Sequence, residues 1–67
     1  MQLSYIIHRS GFDKDDYYHT DDHYFPEIEN GAAEYPDKAI AERNIRFLIQ
    51  SDRVNGRPAY TYDIMVI

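Results

Sequence analysis

The sequence predicts an α+β fold in which one helix packs on one face of a small antiparallel sheet of three to four strands. Three observations support this fold class: an alternating apolar stretch near the start of the chain, a helical apolar period in its second half, and another alternating stretch at the end. With 67 residues and no cysteine, the chain is expected to form a single small domain, 1–67, without disulfides. The lack of cysteine, and a start without a basic segment followed by a long apolar one, predict a cytoplasmic location.

The first strand is predicted at residues 2–8, QLSYIIH. An extended chain there carries Leu3, Tyr5 and Ile7 on one face. The dipeptide Ser10-Gly11 that follows predicts a turn.

An acidic, tyrosine-rich insert is predicted between the first strand and the helix, at residues 12–37. It holds nine of the twelve acidic residues and one of the seven basic residues, in a chain of net charge −5. Within it, residues 17–25 (YYHTDDHYF) are compatible with a short hairpin or an extended loop that ends at Pro26. Asn30-Gly31 predicts a further turn.

A helix is predicted from Pro36 to Gln50 or Ser51, with proline at the first helical position and Asp37 in the first turn. Asn44 falls in the apolar arc of this helix, where it needs a hydrogen-bond partner such as the backbone of an edge strand. At about 100° per residue, the other members of the arc are Ile40, Ala41, Ile45, Phe47, Leu48 and Ile49.

The last strand is predicted at residues 58–67, after a turn at Asn55-Gly56. Its last four residues are apolar on both faces, which favours a central position in the sheet. The predicted core combines residues of both strands and the helix: Leu3, Tyr5, Ile7, Ile45, Leu48, Ile64 and Val66.

No residue pattern typical of an enzyme is present. The chain has no glycine-rich phosphate loop and no nucleophile beside a base, and its length leaves little room for a catalytic pocket, so we expect no enzymatic activity and no cofactor. His19 and His23 lie four residues apart among acids, but this segment is a poor helix former, and only a helix would bring both rings to one metal. We therefore expect no metal site.

The net charge argues against direct binding of nucleic acid, and no apolar run is long enough to span a membrane.

The acids and rings of the insert form the candidate partner-binding surface. Tyrosine rings offer rigid apolar area, and carboxylates accept hydrogen bonds from the Arg and Lys side chains of a basic partner. Carboxylates held in a suitable array can also occupy a groove built for DNA phosphates. The candidate residues are Asp13, Asp15, Asp16, Tyr17, Tyr18, Asp21, Asp22, Tyr24, Glu27, Glu29 and Glu34.

In size, acidity, lack of cysteine and the order of its opening strand LSYIIH, its helix DKAIAERNIRFL and its closing strand, the chain resembles the small anti-CRISPR proteins of phages and mobile elements. The resemblance is one of general plan and assigns no site residue. It implies a stoichiometric inhibitor, often a DNA mimic, that blocks a basic nucleic-acid-binding host complex such as a CRISPR effector. The alternative is a small interaction module, an antitoxin or a regulatory subunit, that binds through the helix face of Arg43, Arg46 and Gln50 or through the sheet edge.

Overall fold

The architecture is α+β, as the sequence predicts. A computed structural model describes residues 3–20, 23–26 and 32–67. Within these ranges, one helix packs on an antiparallel sheet of four strands in the order β3-β2-β1-β4. The elements are β1 (Tyr5–Gly11), β2 (Lys14–Thr20), β3 (His23–Phe25), α1 (Lys38–Val54) and β4 (Thr61–Val66).

β1, rather than β4, occupies the centre of the sheet. It pairs with β2 on one side and with β4 on the other, where Tyr5 lies opposite Val66. Its adjacent residues Ile6 and Ile7 point to opposite faces of the sheet and are both fully buried, as expected of a central strand. The prediction that the last strand is central is therefore wrong: β4 is an edge strand.

A two-residue turn at Phe12 and Asp13 joins β1 to β2. Both residues have positive φ, 53° and 67°, as in the type I′ turns that match the twist of a hairpin. The turn predicted at Ser10-Gly11 is thus two residues too early, because β1 continues to Gly11 and pairs there with Lys14.

The acidic insert supplies two of the four strands. Of the two structures compatible with residues 17–25, the hairpin is the one formed, with Tyr18 of β2 opposite Tyr24 of β3. Residues 32–35 then return to the sheet, where the Ala33 N–H donates to the Tyr18 carbonyl (3.1 Å). The turn predicted at Asn30-Gly31 lies outside the described residues.

Asp37 caps the start of α1. Its side chain accepts a hydrogen bond from the Ala39 N–H at 2.8 Å, which satisfies one of the free donors of the first turn. Pro36 therefore precedes the cap and does not occupy the first helical position, contrary to the prediction. The helix also continues three residues beyond Ser51, to Val54.

α1 buries a narrower stripe than its apolar arc predicts. Ala41 and Leu48 are buried, whereas Phe47 is 72% exposed. Ile40 and Ile49 are exposed as well, and the reason is geometric: of the four described strands, α1 packs on β1 and β4 alone.

The buried apolar side chains of the described residues are Ile6, Ile7, Ala41 and Leu48. Leu3 and Val66, predicted in the core, are 59% and 56% exposed because they lie at the end of the sheet. The described part of the chain contains no helix long and apolar enough to cross a membrane.

Candidate protein-binding surface

The sheet has one face towards α1, the helix-side face, and one away from it, the distal face. Tyr62 donates a hydrogen bond to Asp52 of α1, which places Tyr62 on the helix-side face. Because cross-strand partners share a face, the register assigns the remaining residues. The helix-side face carries Ile7, Arg9, Asp16, Tyr18, Tyr24, Tyr62 and Ile64. The distal face carries Ile6, His8, Asp15, Tyr17, Phe25, Asp63 and Met65.

Arg9 is buried on the helix-side face and neutralised by Asp16. Its Nε and Nη2 donate to the two carboxylate oxygens of Asp16 at 2.8 and 2.7 Å. The guanidinium also lies over two rings, 3.6 Å from the centroid of Tyr24 and 4.6 Å from that of Tyr60. Burial lowers the pKa of Arg9, but the hydrogen bond and charge of Asp16 raise it above its ordinary value. The Asp16 carboxylate is therefore committed to an internal partner.

A hydrogen-bonded network links the hairpin to the end of α1. The hydroxyls of Tyr24 and Tyr62 lie 3.4 Å apart, and Tyr62 donates to Asp52. Asp52 also accepts from Arg57 Nε at 2.7 Å, and Arg57 Nη2 donates to Ser51 at 2.9 Å. Burial, reinforced by the hydrogen bond to Asp52, raises the pKa of Tyr62. These groups satisfy one another, so their role is to hold β3, β4 and α1 together.

The distal face presents two exposed carboxylates on either side of His8. His8 Nε2 lies 2.5 Å from Asp15 Oδ1, and His8 Nδ1 lies 3.9 Å from Asp63 Oδ2. The side chains of Asp15 and Asp63 are 83% and 61% exposed, against 18% for His8. Asp15 and Asp63 stand on the strands that flank β1, which separates their backbones by two strand spacings, about 10 Å.

Aromatic rings continue this acidic surface along β2 and β3. The ring of Tyr17 lies 5.0 Å from that of His8, and Tyr17 is paired with Phe25 in the register. Phe25 is 47% exposed and contacts the His19 ring edge-on at 4.7 Å. The distal face thus combines accessible carboxylates with accessible rings, the composition expected of a protein-binding surface.

The structure distributes the predicted binding residues over different places. Asp15 and Tyr17 lie on the distal face, whereas Asp16, Tyr18 and Tyr24 lie on the helix-side face. Asp13 is in the exposed β1–β2 turn, and Glu34 is exposed in the segment that returns to β1. Asp21, Asp22, Glu27 and Glu29 lie outside the described residues.

Sequence reasoning did not include His8 or Asp63 in this surface. Asp63 is a lone acid in an apolar strand, and alternation alone places it with Thr61 and Met65. That it shares a face with Asp15, on the other side of β1, depends on both strands pairing with β1, which is a long-range property of the fold.

The opposite side of the molecule is basic. α1 exposes four basic side chains and one acidic side chain: Lys38, Arg43, Arg46, Arg53 and Glu42. The uneven charge of the sequence therefore corresponds to two differently charged sides, an acidic distal face and a basic helix.

His19 and His23 have separate surroundings. His19 packs on Phe25, while His23 Nδ1 donates to the backbone carbonyl of Thr20 at 3.1 Å. In the described ranges, no three His, Asp or Glu side chains are grouped so that they could hold a metal ion.

A groove of about 320 Å³ lies between the last turns of α1 and residues 57–62. Its lining includes Asp52 and Tyr62, which bond each other. Both are therefore already occupied by the network that links the hairpin to α1.

Comparisons with protein-family models, with curated proteins and with solved structures each found no match. The function is therefore argued from the residues of the distal face and of α1.

Proposed function

We propose that the protein is a non-enzymatic inhibitor whose acidic distal face binds a basic protein surface that otherwise contacts nucleic acid. The observation that supports this most directly is the pair of exposed carboxylates, Asp15 and Asp63. Within the described residues neither forms an ion pair with Lys or Arg, and the side chain between them is the His8 ring. Both carboxylates are thus available to the guanidinium groups of a partner, which bind such oxygens strongly.

Tyr17 and Phe25 add apolar contact area beside these acids. An interface with only exposed ion pairs gains little affinity, since water and salt screen such pairs. Rings that exclude water from neighbouring charges strengthen the interaction, and aromatic anchors carry much of the binding energy in known interfaces. The proposed contact residues are therefore Asp13, Asp15, Tyr17, Phe25 and Asp63.

The separation of acidic and basic side chains between the two sides of the molecule indicates which side meets a basic partner. Arg43 and Arg46 on α1 face away from the sheet's acidic side, so the molecule's electric field favours approach of a basic partner to the distal face. A basic groove that holds nucleic acid is a common surface of this kind. In this proposal the partner is a nucleic-acid-binding host complex such as a CRISPR effector, and the inhibitor competes with DNA as a mimic.

A pair of charge reversals tests this proposal. Asp15→Lys changes the distal face, and Glu42→Lys makes the same change of net charge on exposed α1. Each immobilised variant is exposed to nuclease-treated bacterial lysate, and the retained proteins are eluted with duplex DNA. We expect wild type and Glu42→Lys to retain the same nucleic-acid-binding proteins and release them to DNA, and Asp15→Lys to lose them. Retention by Asp15→Lys, or retained proteins that DNA does not displace, would contradict the proposal.

The exposed side of α1 supports a second candidate, an interaction module such as an antitoxin or a regulatory subunit. Phe47 is 72% exposed and lies in a shallow groove with Ile40, Arg43 and Arg46. A large exposed ring beside arginines is typical of a binding hot spot. If Phe47→Ala or Arg46→Glu abolishes capture of the partner and Asp15→Lys does not, the second candidate replaces the first.

A further inference from the structure

The outer edge of β4 is unpaired among the described strands. Just beyond β4, Ile67 and Ser4 exchange backbone hydrogen bonds, with N–O distances of 2.9 and 3.3 Å. In an antiparallel strand, successive residues direct their N–H and C=O groups to alternate sides. The N–H and C=O groups of Ile67 point towards Ser4, which directly precedes β1. Those of Tyr62, Ile64 and Val66 therefore point outward, away from β1.

This edge lacks most of the features that normally protect an exposed strand, and its one charged side chain is Asp63. Thr61–Val66 contains no Lys and no Pro, and its register with β1 is regular from end to end, without a bulge. Apolar side chains are exposed beside it: Leu3 is 59% exposed, Val66 56% and Ile67 47%. An edge with these properties is a template for another strand.

We infer that β4 pairs antiparallel with β4 of a second copy of this chain, centred on Ile64. In this register Ile64 lies opposite its counterpart, and Tyr62 lies opposite Val66, so all the outward backbone groups find partners. Asp63 lies opposite Met65, which avoids like charges directly across the interface. Centring on Asp63 would instead oppose two carboxylates.

The self-complementarity of β4 is the reason to assign the edge to a second copy rather than to an unrelated strand. Such pairing also stabilises a small domain, because a single chain of this length buries little apolar surface on its own. Two antiparallel edge strands are related by an axis perpendicular to the sheet. Both helices then lie on one side, and the two distal faces form one continuous surface. This inference is independent of what the distal face binds.

The mass in solution provides the first test. Sedimentation velocity across a concentration series is run on wild type, on Val66→Lys and on Val54→Lys, which introduces the same change at a 74% exposed site of α1. We expect a dimer for wild type and Val54→Lys and a monomer for Val66→Lys, with circular dichroism spectra unchanged. A wild type that remains monomeric at its highest soluble concentration, or a Val66→Lys dimer, would overturn the inference.

Cross-linking tests the register without weakening the edge. The chain has no cysteine, so Asp63→Cys and Met65→Cys each introduce a single thiol. Across the proposed interface residues 63 and 65 form a non-hydrogen-bonded pair with Cα atoms about 4.5 Å apart, within the range of a disulfide. Oxidation of an equimolar mixture should give the mixed disulfide dimer in excess of either variant alone. A mixture that cross-links no more than the separate variants would exclude this pairing.

Discussion

Arg9 and Asp16 face each other across β1 and β2 and form an ion pair with two hydrogen bonds. Their side chains are only 9% and 15% exposed, and the Tyr24 ring covers the guanidinium. An acid that composition assigns to a partner-binding surface is therefore the internal counter-ion of a buried base. Asp15, its neighbour in the chain, is fully accessible by comparison, at 83% exposure.

This difference predicts opposite effects for two adjacent neutral substitutions. Asp16→Asn leaves the Arg9 cation buried without its counter-ion, and we expect a loss of about 3 kcal/mol in the free energy of unfolding. Asp15→Asn removes an exposed charge and should leave that free energy within roughly 1 kcal/mol of wild type. Urea denaturation followed by circular dichroism measures both. Equal losses for the two variants would show that Asp16 has no special structural role.

Two adjacent residues of α1, Phe47 and Leu48, should likewise differ in how much their substitution by alanine lowers stability. Leu48 is 2% exposed and Phe47 72%. We expect Leu48→Ala to cost about 2–5 kcal/mol, through lost burial and the cavity left behind. Phe47→Ala should leave the thermal midpoint nearly unchanged, although it removes the larger side chain. A large destabilisation by Phe47→Ala would place that ring in the core after all.

Two tyrosines predict a loss of stability at alkaline pH. Burial, with the neighbouring Tyr18, raises the pKa of Tyr35 to about 12, although the hydrogen bond from Asn44 Nδ2 (2.8 Å) opposes the rise. This hydroxyl, rather than the backbone of an edge strand, is the observed partner of Asn44. The pKa of Tyr62 is raised as well. Both hydroxyls therefore keep their protons in the folded chain at pH values where the unfolded chain loses them.

Below pH 10 the folded and unfolded chains are both protonated at Tyr35, and its contribution to stability is complete. Between pH 10 and about 12 the unfolded chain releases the proton first, so the free energy of unfolding falls as the pH rises. Urea midpoints from pH 8 to 11.5 should show this decline, and Tyr35→Phe should make it shallower. An equal slope in wild type and Tyr35→Phe would mean that other groups cause the alkaline loss.

The β1–β2 turn predicts a stabilising substitution. Phe12 adopts a φ of 53°, a left-handed conformation that costs a non-glycine residue about 1 kcal/mol or more. Asn tolerates this conformation and is common in type I′ turns, so Phe12→Asn should raise the free energy of unfolding by roughly 0.5–1 kcal/mol. The gain is reduced by the loss of the edge-on contact between Phe12 and Tyr60, whose ring centroids lie 6.0 Å apart.

Phe12→Ala is the matched control for the turn. It also loses the contact with Tyr60, but Ala gains little from the left-handed conformation. We expect this variant to be less stable than wild type in the same urea experiment. If Asn and Ala destabilise equally, the ring contact outweighs the backbone strain at this position.

The fold class and the elements follow from local periodicity, whereas the strand order does not. Apolar residues on both faces of residues 64–67 favour a central strand, yet the same composition is compatible with an unprotected edge. Ile6 and Ile7 also place apolar side chains on both faces of their strand, β1, over a shorter stretch. The choice between β1 and β4 depends on pairing across the whole chain, which a single sequence does not report.

The error in the binding surface has a simple physical cause. Charge composition counts the acids of residues 12–37 but does not say which of them point inward. With the turn at Phe12-Asp13, antiparallel pairing puts Arg9 directly opposite Asp16. Successive residues of β2 point to opposite faces, so Asp16 is internal and Asp15 is accessible, and this alternation replaces the uniform acidic surface that composition predicts.

That alternation predicts different roles for Tyr17 and Tyr18, which are adjacent in β2 and point to opposite faces. Tyr17 packs beside His8 on the distal face, whereas Tyr18 contacts Tyr24 edge-on at 5.5 Å on the helix-side face. Under the proposed function, Tyr17→Ala should weaken partner binding with little change in the urea midpoint. Tyr18→Ala should lower the midpoint, because it removes packing around the ring that covers Arg9.

Binding is measured with the captured partner at constant folded fraction, so that lost stability is not mistaken for lost affinity. If Tyr18→Ala weakens binding more than Tyr17→Ala under these conditions, the partner does not use the distal face.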